Sequence, residues 1–201
     1  MKSLIEMTGP LIDDIGSEIF AKTLSDTLKT ITPFDYTVIF SYLGTARPLD
    51  LFDNFPSIKR KVFVEDYQEG PYLLDPFYLA CENNVAPGLY RIKDLAPDRF
   101  FQGEYYQNYY ARTGLAEEIG YFIQIPGNTF VVVSLMRAEK AFSAKAFRKL
   151  EEFWPVVRAV CLRHWGYLST KSGIDKKNHS NAMIHQSIAF AFTNFGGGIL
   201  T

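Results

Sequence analysis

The stretch Glu118-Ile119-Gly120-Tyr121-Phe122-Ile123-Gln124-Ile125-Pro126-Gly127-Asn128-Thr129-Phe130-Val131-Val132-Val133-Ser134-Leu135-Met136-Arg137 decides the fold. Its flanks are dense in β-branched and aromatic residues, the types that pack well on a pleated surface. Pro126-Gly127-Asn128 between them is turn chemistry. A β-hairpin is therefore expected, with strands over 118–125 and 129–137.

Working outward, Asp35 to Leu43 carries Tyr36, Val38, Ile39, Phe40 and Tyr42 and reads as another strand. Gly44 to Pro48 turns the chain, and Leu49 to Phe52 returns as a short strand before Asn54-Phe55-Pro56. Helices fill the rest. Pro10 to Lys29 has Leu11, Ile12, Ile15, Ile19, Leu24 and Leu28 at helical spacing, with Pro10 suited to a first turn. Ser57 to Tyr67 and Pro76 to Asn83 are shorter helices, Ala86-Pro87-Gly88 is a loop, and Asp98 to Thr113 is an aromatic helix ended by Gly114. Ser143 is an N-cap for a long helix to Leu168, whose stripe runs Phe147, Leu150, Trp154, Val157, Cys161, Trp165, Leu168 and which Pro155 should kink. Two strands, a helical insertion and a hairpin make an α+β fold: an α-β-α sandwich around one antiparallel sheet. The layout resembles GAF and PAS domains, and it leaves space for a ligand between one sheet face and the inserted helices.

Residues 1–168 form the expected ligand-sensing domain. Residues 169–201 read as a polar linker with Lys176-Lys177, a short helix over 181–194, and the run Gly196-Gly197-Gly198.

Composition narrows the function. Of 201 residues, 47% are hydrophobic and 15% aromatic, enough for a large core, a ligand pocket or both. A net charge of -1 argues against a nucleic-acid-binding domain. The cluster Lys59-Arg60-Lys61 reads as a solvated helix face. Cys81 and Cys161 lie far apart, without metal-ligand spacing, and read as buried thiols in a reduced, cytoplasmic setting. No secretory signal or membrane-length apolar run is visible. The histidines, His164, His179 and His185, cluster late in the chain, and no hydrolase, zinc-protease or phosphate-loop motif occurs. A non-enzyme without metal or cofactor is expected.

Some polar residues stand out. Asp75, in Tyr72-Leu73-Leu74-Asp75-Pro76-Phe77-Tyr78, fits a helix N-cap with proline at the first helical position. Inside an apolar pocket the same carboxylate would need a partner. Glu117 and Glu118 open the hairpin on opposite faces, so at most one looks into a pocket; a solvated strand end is the simpler reading. Phe101, Tyr105 and Tyr109 share one helix face, with Phe100, Tyr106 and Tyr110 flanking it. Core packing explains part of this pattern, but buried tyrosines seek hydrogen-bond partners, which suggests a polar-lined cavity or a dimer surface.

These residues resemble the autoinducer-binding domain of LuxR-type quorum-sensing regulators. That family has an Asn-Tyr-Pro-like stop, a helix with Trp and Tyr four apart, a further Tyr, and then Asp-Pro. Here Asn54-Phe55-Pro56 stands for the stop, Phe63 for the Trp, Tyr67 for the Tyr, with Tyr72 and Asp75-Pro76 following; Pro87 and Tyr90 match the next landmark. The resemblance implies that Phe63, Tyr67, Asp75 and Tyr90 contact a small ligand, with Tyr72, Tyr105 and Tyr109 as further candidates. Aromatic walls with a carboxylate suit an amine or amino-acid-like metabolite ahead of an acyl-homoserine lactone. Ligand binding would shift a homodimer or domain arrangement, the helix from Ser143 being the expected dimer element because Trp154 and Trp165 are not both expected to fit inside. Ile199-Leu200-Thr201 resembles the entry to a LuxR-type helix-turn-helix, so DNA contact is expected only through a C-terminal module missing from this sequence. The alternative is a dimerisation or interaction module with a filled pocket and no ligand.

Overall fold

The hairpin forms around Gly127 and Asn128, both at positive φ (87° and 56°), so the turn needs residues that tolerate the left-handed region. In this computed structural model, which describes residues 4–96, 98 and 100–171, the hairpin strands are β4 (Glu117–Ile125) and β5 (Thr129–Arg137). They pair antiparallel from Glu117 opposite Arg137 to Ile125 opposite Thr129. The upstream strands are β1 (Tyr36–Leu43) and β2 (Leu49–Asp53). A further strand, β3 (Gly88–Arg91), lines the edge of β4. The sheet order is β2-β1-β5-β4-β3, every neighbour antiparallel. Strand β3 stands where the sequence pattern predicts only a loop at Ala86-Pro87-Gly88 and no strand after it. It is four half-buried residues long, too short for alternation to register.

Strand alternation sorts the core into two layers. On one face Ile39, Ile119, Tyr121, Ile123, Val131, Val133 and Leu135 pack against helices. Those helices are α1 (Leu4–Asp13), α2 (Phe20–Ile31), α7 (Ala144–Glu152) and α8 (Trp154–Lys171). On the other face Val38, Phe40, Tyr42, Phe122, Val132 and Met136 meet an aromatic layer from the inserted segments. That layer comprises α3 (Ser57–Arg60) with its π-helical extension Lys61–Asp66, α4 (Pro76–Glu82), α5 (Ile92–Leu95), and a π-helical turn at Tyr106–Tyr110 running into α6 (Ala111–Thr113). The α-β-α sandwich expected from the element order is the architecture observed.

Several local expectations need correction. The single helix over 10–29 is two, separated at Gly16, whose φ of 84° ends any right-handed run. Pro10 consequently sits inside α1 rather than in a first turn. The turn is held down where the Gly16 amide donates to His164 Nδ1 at 2.9 Å. The aromatic helix is broken near its start, with a 3-10 turn at Phe100–Gln102, and ends as expected at Gly114 in the left-handed region. Ser143 caps α7, its Oγ accepting from the Ala146 amide at 3.1 Å, and the chain re-starts at Trp154 one residue before Pro155. Trp165 is fully buried with its ring edge-on to Phe20 at 5.5 Å, and Trp154 stacks on Tyr121 at 6.1 Å. Of the two tryptophans, Trp165 is inside and Trp154 is only partly buried. Arg60 is less solvated than the basic cluster suggested, forking to Asp50 (2.7 Å) and Asp53 (2.9 Å). Both cysteines are buried thiols. The linker, terminal helix and glycine run expected after Lys171 lie outside the described residues.

Candidate functional site

The site lies under the sheet, between β1, β4 and β5 and the aromatic layer. The helical stretch after Pro56 places Phe63 and Tyr67 four residues apart on one side, both buried against β1: Phe40 lies 5.1 Å from Tyr67, centroid to centroid. Asp75 arrives at the head of α4. Its Oδ1 accepts from the Phe77 amide at 2.9 Å, the N-cap bond, and its Oδ2 accepts from Tyr67 Oη at 2.5 Å. Tyr67 Oη in turn lies 3.0 Å from Tyr42 Oη on β1. The cap and pocket readings of Asp75 thus hold together, because a carboxylate has two oxygens and uses one for each. Burial pushes the Asp75 carboxyl up to about 6, against the pull of the hydrogen bonds from Tyr67 and Phe77.

Glu118 reaches the same hollow from β4. Burial, and then repulsion from Asp75, push its carboxyl up to about 8, while a hydrogen bond with Ser134 on β5 pulls the other way. Glu117, one residue earlier, points to the opposite face. It pairs with Arg91 and accepts from the Phe142 amide at 2.6 Å, tying β3 and the lead-in to α7 to β4. Both glutamates are buried, at 5% and 8% exposure, so neither is a solvated strand end. Alternation does send them to opposite faces, as expected.

Tyr105, Tyr109 and Tyr110 complete the wall, with Thr113 and Leu115 beyond them. Tyr109 Oη donates to the Val62 carbonyl at 3.2 Å. The Tyr110 hydroxyl is buried and has no hydrogen-bond partner among the described residues. The hollow enclosed by these side chains measures about 20 Å³, room for roughly one water molecule. Among the described residues no three His, Cys, Asp or Glu side chains converge to hold a metal, and no helix is long and apolar enough to cross a membrane.

No family model matches the chain. Solved structures do. The ligand-binding domain of VqsR from Pseudomonas aeruginosa superposes with a TM-score of 0.67 at 28% identity, covering 80% of this chain and 94% of that one. SdiA of Escherichia coli gives a TM-score of 0.60 at 12% identity over 95% of this chain and 92% of its own. CepR2 of Burkholderia cenocepacia, an N-acylhomoserine lactone-dependent LuxR-family transcription factor, gives 0.60 at 13% identity over 81% of this chain and 96% of its own. The chain has the autoinducer-binding fold of LuxR-type regulators. In sequence, a candidate HTH-type transcriptional regulator encoded in the exeN 3′ region of Aeromonas salmonicida is 23% identical over 129 residues. That match takes in 63% of this chain, and the chain spans 65% of the length of that relative.

Within this LuxR-type fold the candidates named from sequence divide cleanly. Phe63, Tyr67, Asp75, Tyr105 and Tyr109 line the hollow. Tyr72 and Tyr90 do not. Tyr72 lies on the short 3-10 turn before Asp75 and packs edge-on behind Tyr67 (6.3 Å) and against Tyr78 (5.2 Å). Tyr90 belongs to edge strand β3, stands edge-on to Phe122 at 5.5 Å, and donates its hydroxyl to the Ala86 carbonyl at 2.8 Å. Residues of the wall that sequence reasoning had not nominated are chiefly Tyr42, Tyr110, Glu118 and Ser134. Alternation from Phe122, an obvious core residue of β4, would have pointed Glu118 to the same face, four residues earlier.

Proposed function

We propose that this chain is the small-molecule-sensing domain of a LuxR-type transcriptional regulator. A ligand enters the hollow beneath the sheet, engages Asp75 and Tyr67, and changes a dimer or domain arrangement that controls DNA binding by a helix-turn-helix module. The ligand contacts are Phe63, Tyr67, Asp75, Tyr105 and Tyr109, and the preferred ligand is an amine or amino-acid-like metabolite rather than an acyl-homoserine lactone. The observation that carries this proposal is the chain of buried polar groups Tyr42–Tyr67–Asp75 set into an aromatic wall, with Glu118 facing the same space. A core built only for stability gains nothing from burying carboxylates there.

The small volume of the hollow favours a second reading, a dimerisation module whose pocket is filled by its own side chains. Ligand pockets usually reach several hundred Å³, so a ligand here must displace rings. Native mass spectrometry of the purified chain, followed by thermal shift with amines and with acyl-homoserine lactones, separates the two. A co-purified small molecule, or a rise in Tm that grows with ligand concentration, supports sensing. A ligand-free dimer indifferent to every compound supports the alternative.

A further inference from the structure

Asp75 and Glu118 approach the hollow from different layers, one from the head of α4 and the other from β4. Among the described residues that line it, none is cationic. Arg91 is engaged by Glu117 on the opposite side of β4, and Arg60 by Asp50 and Asp53. Lys59 lies over the Tyr36 and Phe63 rings, 5.4 and 5.7 Å from their centroids, and reaches neither carboxylate. Two carboxyl groups are therefore buried together with no countercharge in reach. A second observation points the same way. The Tyr110 hydroxyl, on a residue only 5% exposed that lines the same hollow, is left without a partner.

We propose that Asp75 and Glu118 together form a receptor for the ammonium group of an organic amine, with Tyr110 Oη as its third acceptor. A primary ammonium carries three N–H donors and no acceptor, which matches two carboxylates and one free hydroxyl oxygen. Phe40, Phe63 and Tyr105 line the same hollow, and aromatic rings attract a cation placed over their faces. Glu118 is the residue that selects charge: a neutral headgroup can satisfy Asp75 and Tyr67, but it gives the second carboxyl, whose hydrogen-bond partner is Ser134, no cation to pair with. The inference rests on the sensing-domain reading above and adds the chemistry that Glu118 recognises.

The upward shift of Glu118 to about 8 gives the proposal a signature. The empty pocket holds a proton that an incoming cation must expel, so amine affinity rises as pH climbs through that range. The other ionisable groups facing the pair, the phenols of Tyr42, Tyr67, Tyr105, Tyr109 and Tyr110 and the Cys81 thiol, are all pushed up by burial. They stay neutral throughout.

The test is titration calorimetry on the full chain with three probes: phenethylamine, its neutral analogue 2-phenylethanol, and N-octanoyl homoserine lactone. Phenethylamine should bind at least about tenfold more tightly than the alcohol, a gap of about 1.4 kcal/mol. Its affinity should rise by about tenfold between roughly pH 7 and pH 9 while that of the alcohol stays level. Glu118→Gln should close most of the gap by weakening the amine alone. The pH series needs no variant, so it stands even if Glu118→Gln fails to fold. Equal binding of amine and alcohol, a flat amine profile, or an unchanged gap in Glu118→Gln overturns the proposal. Lactone binding without amine binding overturns it while leaving the sensing domain intact, and binding of none of the three overturns both.

Discussion

Replacing Glu118 by glutamine should make this protein more stable in mild alkali, by an amount that can be worked out. The folded state holds the Glu118 proton up to about pH 8, against a usual value of 4.5. Between those limits the folded chain binds more protons than the unfolded one, so stability falls as pH rises, and the contribution of Glu118 is fully lost above its folded value. From about pH 6.5 to about pH 8.5, close to 1.5 pH units of that window remain, worth about 2 kcal/mol. The interval isolates Glu118. Asp75 and Asp50, both raised to about 6, have spent nearly all of their effect below it. His164, lowered to about 4, acts mainly on the acid side, and the buried thiols of Cys81 and Cys161 act above. Urea unfolding at the two pH values, on wild type and Glu118→Gln, measures the difference. Wild type should lose about 2 kcal/mol and the variant only a few tenths. A wild type that holds or gains stability over the interval, or a variant with the same slope, would refute the burial of a protonated Glu118 at this site.

Three further outcomes follow from the packing. Gly120→Ala places a methyl carbon 2.8 Å from the Phe77 ring and 3.1 Å from that of Phe122; overpacking of this kind should cost roughly 1–3 kcal/mol and lower Tm accordingly. His164 is neutral in the folded state, where it stacks on Phe20 at 4.1 Å and accepts from Gly16. Its depressed pKa means that acidification from about pH 6.5 to about pH 4 should remove about 3 kcal/mol that His164→Gln does not lose, read as the difference between their unfolding curves. Arg91→Leu strands the buried Glu117 carboxylate and should cost about 3–5 kcal/mol, while the double variant Arg91→Leu, Glu117→Leu should recover part of that loss in chemical denaturation.

The hairpin and the Asp75-Pro76 cap were legible because each depends on neighbours in sequence. Pro126-Gly127-Asn128 contains the turn geometry itself, and the cap needs only the amide two residues on. Phe63 and Tyr67 were legible for the same reason, since helical spacing puts them on one side. The break between α1 and α2 was not, because the apolar spacing through Leu11, Ile15, Ile19 and Leu24 continues unbroken across Gly16. What separates the two helices is the need to fold both onto one sheet face, with the turn anchored by a histidine 148 residues away.

Sequence alone therefore settled the α+β class, the position of the aromatic insertion and the family likeness, all of which are written in local periodicity and short spacings. Tertiary structure alone decided which polar groups share the hollow. Tyr42, Asp75, Glu118 and Ser134 come from four separate segments and meet only when β1, β4 and β5 pair in register. It also decided that Tyr72 and Tyr90 stand outside. The direction of a side chain in a sheet-and-helix sandwich depends on the element packed against it, and that partner lies elsewhere in the chain.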